Sequence, residues 1–368
     1  MRVARLVLRD FRCYRDARVS LGGGLTVVRG PNGAGKTNLL EGLYFGCTGR
    51  SCRTANEREV VRFGAPATRV AVSTEAEDGA HELSVGFAPG GPKQMRLDGA
   101  PVERLLGAPG RPLLGVFLPD RLELVKGAPA LRRAHLDQFV AAMWPTRGDT
   151  RRAYAHTLAQ RNTLIGRVRA GISSRDSLAT WDAQLARHGI ALMHDRRRAV
   201  DELADSFTRL SSELGLDGSP SLAYRSRSRA TEPEQLATEL AQRREGDLER
   251  GFTGHGPHRD ELAIMQGGRE LRAYGSQGQQ RLALLSLLLA ERETLARNRH
   301  PAPVMLLDDV MSELDGVRRR ALIEVLLAGG GQAVITTTDL DRVPGAGEPG
   351  VEHLAVADGR VLQEAMAA

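Results

Sequence analysis

Residues 30–37 read Gly-Pro-Asn-Gly-Ala-Gly-Lys-Thr, a GxxxxGK[ST] pattern. Gly30, Gly33 and Gly35 let the backbone approach closely enough to wrap phosphate oxygens, while Pro31, Asn32 and Ala34 complete a loop whose amides face that charge. Lys36 adds a point charge for the outer phosphates of a nucleotide, and the Thr37 hydroxyl is a ligand for Mg²⁺. Much later the run Val304-Met305-Leu306-Leu307 closes on Asp308-Asp309. An apolar run ending in acids reads as a buried strand whose carboxyl end opens on a ligand crevice. Asp308 is expected to hold the magnesium, directly or through water, and Asp309 to orient or deprotonate an attacking water. The plainer readings are a glycine turn with a chance lysine and a core strand ending in a solvated turn. A full match set between a strand pattern and a helix pattern argues against both.

A third group, Tyr274-Gly275-Ser276-Gln277-Gly278-Gln279-Gln280, stands just upstream of the Asp308 strand. A serine hydroxyl and glycine amides at a helix N-terminus form an anion site with no lysine of its own, and the same residues fit a simple N-cap at Ser276. The run resembles the LSGGQ signature of ABC-type ATPases, with Ser276, Gly278 and Gln279 in register. That resemblance implies ATP as the nucleotide and a Ser276 that meets the γ-phosphate held by an opposite subunit. Ser312-Glu313-Leu314-Asp315 resembles the D-loop that crosses the dimer interface in that superfamily. The chain departs from the pattern at three places. Thr338 stands where many relatives carry a switch histidine, Asp309 is shorter than the usual glutamate, and Pro119-Asp120 falls where a glutamine is frequent. Slow hydrolysis is the expectation.

These groups need a scaffold. Alternation predicts strands over Val3–Leu8, Arg18–Leu21 and Gly24–Val28, followed by the glycine loop and a helix over about Thr37–Phe45. Short extended pieces at Arg69–Thr74, Glu82–Phe87, Lys93–Leu97 and Leu113–Leu118, separated by Gly, Pro and Asp turns, predict an antiparallel sheet. From about Leu131 to Leu248, Leu, Ala and Arg recur at helical spacing and turn signals are sparse. An α/β pattern then returns. A helix over Gly278–Arg297 precedes a strand at Pro303–Leu307, a helix at Val317–Leu327 and a strand at Gln332–Thr336. The final hairpin, His353–Val356 with Arg360–Leu362, turns on Asp358-Gly359. The expected division is an ATPase lobe from residues 1–120 and 251–368 around a helical lobe at 121–250.

Composition narrows the class. With 41% apolar and 26% charged residues the chain reads as an ordinary globular protein, and no run reaches the ~20 apolar residues of a membrane span. Charges occupy the place of a signal peptide's apolar stretch, and the three cysteines, Cys13, Cys47 and Cys52, lack CxxC spacing. Both point to the cytosol and reduced thiols, without a zinc site. The net charge is +6, yet residues 121–169 alone carry ten Arg or Lys against three acids. The first twenty residues add six Arg against two Asp. Such clustering points to a polyanion-binding face. Arg132, Arg133, Arg151 and Arg152 are the candidates for phosphate contact; a solvated helical face is the alternative. Aromatic residues make up 4% of the chain, which disfavours base-stacking platforms and favours contact with a duplex backbone.

Along almost its whole length the chain resembles the RecF family. The resemblance rests on Leu8–Tyr14 (LRDFRCY), Gly49–Thr54 (GRSCRT), Phe117–Asp120 (FLPD) and Leu124–Gly127 (LVKG). It continues through Arg132–Asp137 (RRAHLD), Gln160–Asn162 (QRN), Gly256–Asp260 (GPHRD), Ser276–Arg281 (SQGQQR) and Met305–Asp315 (MLLDDVMSELD). It implies an ABC-type ATPase head, a P-loop NTPase of α/β class related to SMC heads, with a helical second lobe and no long coiled coil. It also implies an ATP-dependent homodimer that clamps double-stranded DNA near single-strand/double-strand junctions. Such a dimer would assist RecR, with RecO, in loading RecA, and hydrolysis would release the DNA. Arg50 and Arg53 are expected to approach phosphate or the partner subunit, or to form packing salt bridges, and His258 to be a structural histidine near the nucleotide crevice. Two other readings of the same motifs are the ATPase subunit of a membrane transporter and a DNA-binding module in which ATP is a static ligand.

Overall fold

Apolar residues alternate with arginines along the first strand, β1 (Arg2–Phe11), so that Leu6 and Leu8 are buried while Arg5 and Arg9 are exposed. The computed structural model describes residues 1–363 apart from Leu106, Pro109, Asp120, Arg121 and Arg299. After β1 come β2 (Tyr14–Ser20), β3 (Leu25–Arg29), α1 (Lys36–Thr48), β4 (Thr68–Ala76) and β5 (Gly79–Phe87). Then follow β6 (Gln94–Leu97), β7 (Ala100–Val102), β8 (Leu114–Phe117) and the helices α2 (Glu123–Lys126), α3 (Pro129–Met143), α4 (Gly148–Arg169) and α5 (Leu178–Glu213). Next are β9 (Ser221–Arg225), α6 (Pro233–Gln242), α7 (Arg244–Arg250), β10 (Glu261–Gln266), β11 (Arg269–Glu270), α8 (Leu271–Tyr274) and α9 (Gln277–Arg297). The chain ends in β12 (Val304–Leu307), α10 (Gly316–Ala328), β13 (Ala333–Thr337), β14 (Glu352–Ala357) and β15 (Arg360–Gln363).

The chain divides into two units, residues 1–121, 213–215 and 295–368 in the first, and 122–212 with 216–294 in the second. Two six-stranded sheets build the first unit. One runs β2-β1-β4-β5-β6-β7, antiparallel throughout; the other runs β15-β14-β3-β13-β12-β8 with a parallel centre. Strands β12 and β13 are buried at every residue, as continuous apolar runs in a parallel sheet must be. The core of this unit gathers Leu6, Leu8, Phe11, Leu40, Leu43, Phe45, Val70, Val72, Leu306 and Val334. The closing hairpin turns on Asp358 and Gly359, both at positive φ, as a two-residue turn of this hand demands.

Two expectations are corrected. Leu113–Leu118 was expected in the antiparallel sheet with its neighbours. Instead β8 pairs in parallel with β12, Leu114 opposite Val304 and Phe117 opposite Leu307. Turn residues mark where a strand stops and carry no information about which strand it joins. The helical lobe, expected at 121–250, continues to Thr294 and contains a sheet. Strand β10 pairs antiparallel with β9, Glu261 opposite Arg225 through Met265 opposite Ser221, which ties residues beyond 250 into the second unit.

Inside that unit the motifs of the family resemblance form buried ionic hubs. Arg161 on α4 is fully buried; it donates to Asp182 at 2.7 Å, to Asp247 at 2.8 Å and to the Thr253 hydroxyl at 2.7 Å. The side-chain oxygen of the neighbouring Asn162 accepts from the Thr253 amide and hydroxyl. Arg196 on α5 makes a bidentate pair with Asp137 and donates to the Pro257 carbonyl. The longest helix among the described residues is α5, with 36 residues. None of their helices is long and apolar enough to cross a membrane.

Candidate functional site

Strand β3 ends at Arg29, the loop 30–35 follows, and α1 begins at Lys36. Gly30 is anchored where β13 and β14 flank β3. Its amide donates to the Thr337 carbonyl at 3.3 Å, and a Cβ there would lie 2.2 Å from the Val356 carbonyl oxygen. Gly35 sits at φ 117°, and a Cβ would stand 2.7 Å from the Cys13 sulfur and 2.9 Å from the Tyr14 hydroxyl. Only glycine fits these two positions. The Tyr14 hydroxyl donates to the Gly35 carbonyl at 2.9 Å, fixing the loop from the N-terminal sheet. Burial pushes the Tyr14 phenol up, so it stays a neutral donor.

The Lys36 ammonium curls back over this loop, donating to the Gly30 carbonyl at 2.8 Å and the Pro31 carbonyl at 3.1 Å. Burial lowers its pKa, against the opposing pull of Asp309 and Asp308. A cation held over a ring of amides is suited to an anion that would restore its charge preference. Thr37 and Asp308 come together from opposite ends of the chain. The hydroxyl donates to the carboxylate, with oxygens 2.8 and 3.0 Å apart, and Thr336 on β13 donates to the same carboxylate at 2.7 Å. Asp308 is 9% exposed, and desolvation raises its pKa while the two threonine hydrogen bonds lower it. Two adjacent hard oxygen donors, one a desolvated carboxylate, fit a divalent cation that also takes oxygens from phosphate. Asp309 adopts left-handed geometry at φ 43°; its amide donates to the Thr336 hydroxyl and its carboxylate accepts from the Ser312 hydroxyl at 2.8 Å.

These residues line one polar cleft of about 500 Å³, formed by Asn32, Gly33, Gly35, Lys36, Thr37, Asn38, Arg53, Pro119, Asp308, Asp309 and Glu313. The sequence places ten of these in its motifs; Asn38 acquires a place in the cleft only in three dimensions. Asp120, which with Pro119 falls where relatives often carry a glutamine, lies outside the described residues. Thr338 is exposed directly after β13. Of the two arginines after α1, it is Arg53 that reaches the cleft, donating to Asn38 at 2.8 Å and Glu41 at 3.2 Å. Glu41 is fully buried and also accepts from Arg12 at 2.7 and 2.9 Å and from Ser51 at 2.5 Å. Sequence reasoning missed this hub. Its signal was available, since Glu41 is the one acid in α1 and stands among leucines on the buried side of the helix.

The remaining expected residues belong to the second unit. Ser276 caps α9 reciprocally: its hydroxyl accepts from the Gln279 amide at 3.2 Å, and the Gln279 side chain accepts from the Ser276 amide at 2.8 Å. Ser276 and Gly278 are exposed, so the capped helix end presents its amides to solvent. Arg132 contradicts the expectation of a phosphate contact. It is 3% exposed, paired with Glu261 at 2.7 and 2.9 Å, and donates to the Val125 and Gly127 carbonyls. Arg133 is half-buried and donates to the Asp260 carbonyl. A buried guanidinium bound to one carboxylate and two carbonyls, as in Arg132, holds the fold together. Arg151 and Arg152 are exposed, beside Asp137 and Asp149 respectively. His258 has the expected structural role, but it is not among the residues that line the cleft. Its Nε2–H donates to the Thr253 carbonyl, which leaves Nδ1 to accept from the Tyr154 hydroxyl, and burial lowers its pKa to about 4.

Comparison with known proteins agrees with this fold. Residues 5–93, which hold the phosphate loop, match the AAA domain family. The DNA replication and repair protein RecF of Herpetosiphon aurantiacus is 37% identical over 363 residues, covering 93% of this chain and 94% of its own. That of Myxococcus xanthus is 36% identical, covering 99% and 98%. Among solved structures, the recombination mediator protein RecF with ATP, in the RecFOR pathway, superposes with a TM-score of 0.84 at 28% identity, covering 99% and 98%. The Smc head with an extended coiled coil from Pyrococcus furiosus superposes with a TM-score of 0.63 at 17% identity, a likeness of fold alone. Full-length identity above a third, on an ABC-type ATPase head with its phosphate loop and acidic strand end in place, makes this chain a member of the RecF family.

Proposed function

We propose that this chain is an ATP-dependent DNA clamp of recombinational gap repair. The observation that carries the reading is the meeting of Lys36, Thr37, Asp308 and Asp309 in one cleft. Relatives solved with ATP support it. The loop amides and Lys36 bind the phosphates, and Thr37 with Asp308 holds Mg²⁺. When bound, the cation neutralises charge on the β- and γ-phosphates. Thr336 keeps the Asp308 carboxylate turned toward Thr37. Asp309, with its carboxylate steadied by Ser312, orients the attacking water and takes its proton. A side chain one methylene shorter than glutamate, tethered by a hydroxyl, is consistent with slow turnover.

Ser276, Gly278 and Gln279 supply the second half of the site in trans, so ATP closes a twofold homodimer on double-stranded DNA. RecR, with RecO, then loads RecA at single-strand/double-strand junctions, and hydrolysis reopens the clamp. On the second unit Arg151 and Arg152 remain accessible to a phosphate, whereas Arg132 and Arg133 serve packing. The test is duplex binding and sedimentation with ATP, with ADP and without nucleotide. ATP should promote both association and DNA binding; a monomer that binds duplex equally in all three states contradicts the clamp.

A further inference from the structure

One face of the antiparallel sheet is covered by α1, where Gly42 meets Leu8 and Gly46 meets Val70 and Val72. Side chains alternate along a strand, so the other face carries the intervening residues. On β1 these are Arg5, Val7 and Arg9; their register partners are Ser20, Arg18 and Asp16 on β2, and Ser73, Ala71 and Arg69 on β4. Arg5, Arg9, Arg18 and Arg69 are all exposed. None makes an ion pair or a side-chain hydrogen bond to a described residue, although nearby arginines do: Arg2 takes Glu75, Arg62 takes Asp10 and Arg12 takes Glu41. Arg9 and Arg69 are direct cross-strand partners. Like charges so placed destabilise a sheet unless something else neutralises them, and Asp16 opposite Arg9 is the one acid on these nine positions.

We propose that this sheet face grips the sugar-phosphate backbone of duplex DNA through Arg5, Arg9, Arg18 and Arg69. The inference rests on the reading of the chain as a DNA clamp and moves the contact away from Arg132 and Arg133. Between the arginines stand Ser20, Ser73, Ala71 and Val7, so the surface is low and the guanidinium groups rise from it. The aromatics at the end of these strands, Phe11 and Tyr14, are buried, and without a stacking platform the face can take backbone but cannot read unpaired bases. From Arg5 to Arg9 is about 13 Å at ~3.3 Å per residue, and β2 to β4 is about 10 Å. A duplex carries one phosphate per ~1.7 Å of axis, so such a length holds about eight, roughly half of them facing the sheet. Four arginines match that number.

The test uses the full chain with ATP and a fluorescent duplex over a salt series. Each neutralised phosphate contributes about −0.9 to the slope of log affinity against log salt. Arg9→Ala with Arg69→Ala, and separately Arg5→Ala with Arg18→Ala, should each flatten the slope by about 1.8. Arg9→Lys with Arg69→Lys should keep it, because charge is retained. The Arg9→Ala, Arg69→Ala protein should bind nucleotide like the parent and melt no lower, since it loses a repulsion. If both alanine pairs keep the parent's slope and affinity, the face is not the DNA contact while the clamp reading stands. If the parent itself binds no duplex at low salt, the clamp reading and this contact fall together.

Discussion

The Thr37 hydroxyl lies 2.8 Å from one carboxylate oxygen of Asp308 and 3.0 Å from the other, joining the start of α1 to the end of β12. Nothing local holds these residues together; 271 positions separate them. The contact exists because β3 and β12 flank β13 in one parallel sheet, which sets both carboxyl ends along the same edge.

Desolvation raises the Asp308 pKa, and that gives magnesium binding a pH dependence. A cation needs the carboxylate, so magnesium-dependent ATP affinity should strengthen as pH rises through the raised pKa. On acidification it should weaken at a higher pH than an ordinary aspartate near ~3.9 would allow. The sign for stability is opposite: without cation the native state holds this proton more tightly than the unfolded chain, a contribution lost as pH rises through the folded pKa. Calorimetric titration of Mg-ATP at several pH values measures the first effect. Asp308→Asn should weaken Mg-ATP binding by roughly tenfold or more, about 1.4 kcal/mol per decade, and remove the pH dependence. An Asn variant with the parent's magnesium response would exclude Asp308 as ligand.

Lys36→Met should lower ATP affinity by about ten- to a hundredfold, the worth of a charge-assisted hydrogen bond of ~1.5–3 kcal/mol. It also frees the Gly30 and Pro31 carbonyls, which solvent in the cleft can satisfy, so melting should change little. Lys36→Arg keeps the charge with a planar fork of different reach, and binding should survive better than hydrolysis. Equal affinity in a folded Lys36→Met protein would remove the phosphate-binding role.

Asp309→Asn should leave ATP binding near that of the parent and slow single-turnover hydrolysis by about 10²–10⁴, the usual contribution of a general base. Normal turnover by this variant would show that another group activates the water. Ser312→Ala tests the tether. Without the hydroxyl that holds the Asp309 carboxylate, the rate should change while affinity does not.

How much of this was legible depended on whether the information was local. The phosphate loop and Val304–Asp309 are contiguous runs in which residue type and spacing already state the chemistry. The closing hairpin was equally plain, because Asp358-Gly359 demands its backbone geometry. Thr336 was not, since a threonine in an apolar strand looks like any β-branched residue until β13 is set beside β12. Arg132 misled for a related reason. Charge counting sees a basic helix, but the partner that buries this guanidinium, Glu261, is 129 residues away. The division of the chain failed where β9, a short strand among helices, recruited β10 across the expected boundary.

The Arg161 hub yields a stability prediction. Arg161→Met would leave Asp182 buried with Arg244, and Asp247 buried with Arg250 and the Gly254 amide. Breaking a buried pair typically costs about 3–5 kcal/mol, and the surviving arginines should hold the loss near the lower end. Thermal melting should show an earlier transition with nucleotide affinity retained. An unchanged melting curve would mean that the hub adds little to stability.

The final prediction concerns Ser276, whose hydroxyl is already engaged in capping α9. A capping serine keeps its helix end ordered and its amides aimed outward, which prepares an anion site that carries no cation of its own. Such a site gains most from a γ-phosphate presented by another subunit, and nucleotide buried between two copies links binding to association. ATP should therefore tighten the dimer and ADP should not. Ser276→Arg places a bulky cation at the exposed helix end and removes the cap, at a cost of about 1 kcal/mol to the helix. Ser276→Ala removes the same cap without the bulk, and so separates the two effects. Both variants should bind ATP as monomers, because Lys36 and Thr37 stand in the other unit. Sedimentation with ATP under conditions that limit turnover should show Ser276→Ala dimerising weakly and Ser276→Arg remaining monomeric without hydrolysis. If Ser276→Arg sediments as the parent does, the anion site at this helix end is not part of the dimer, and the trans contact must be sought elsewhere.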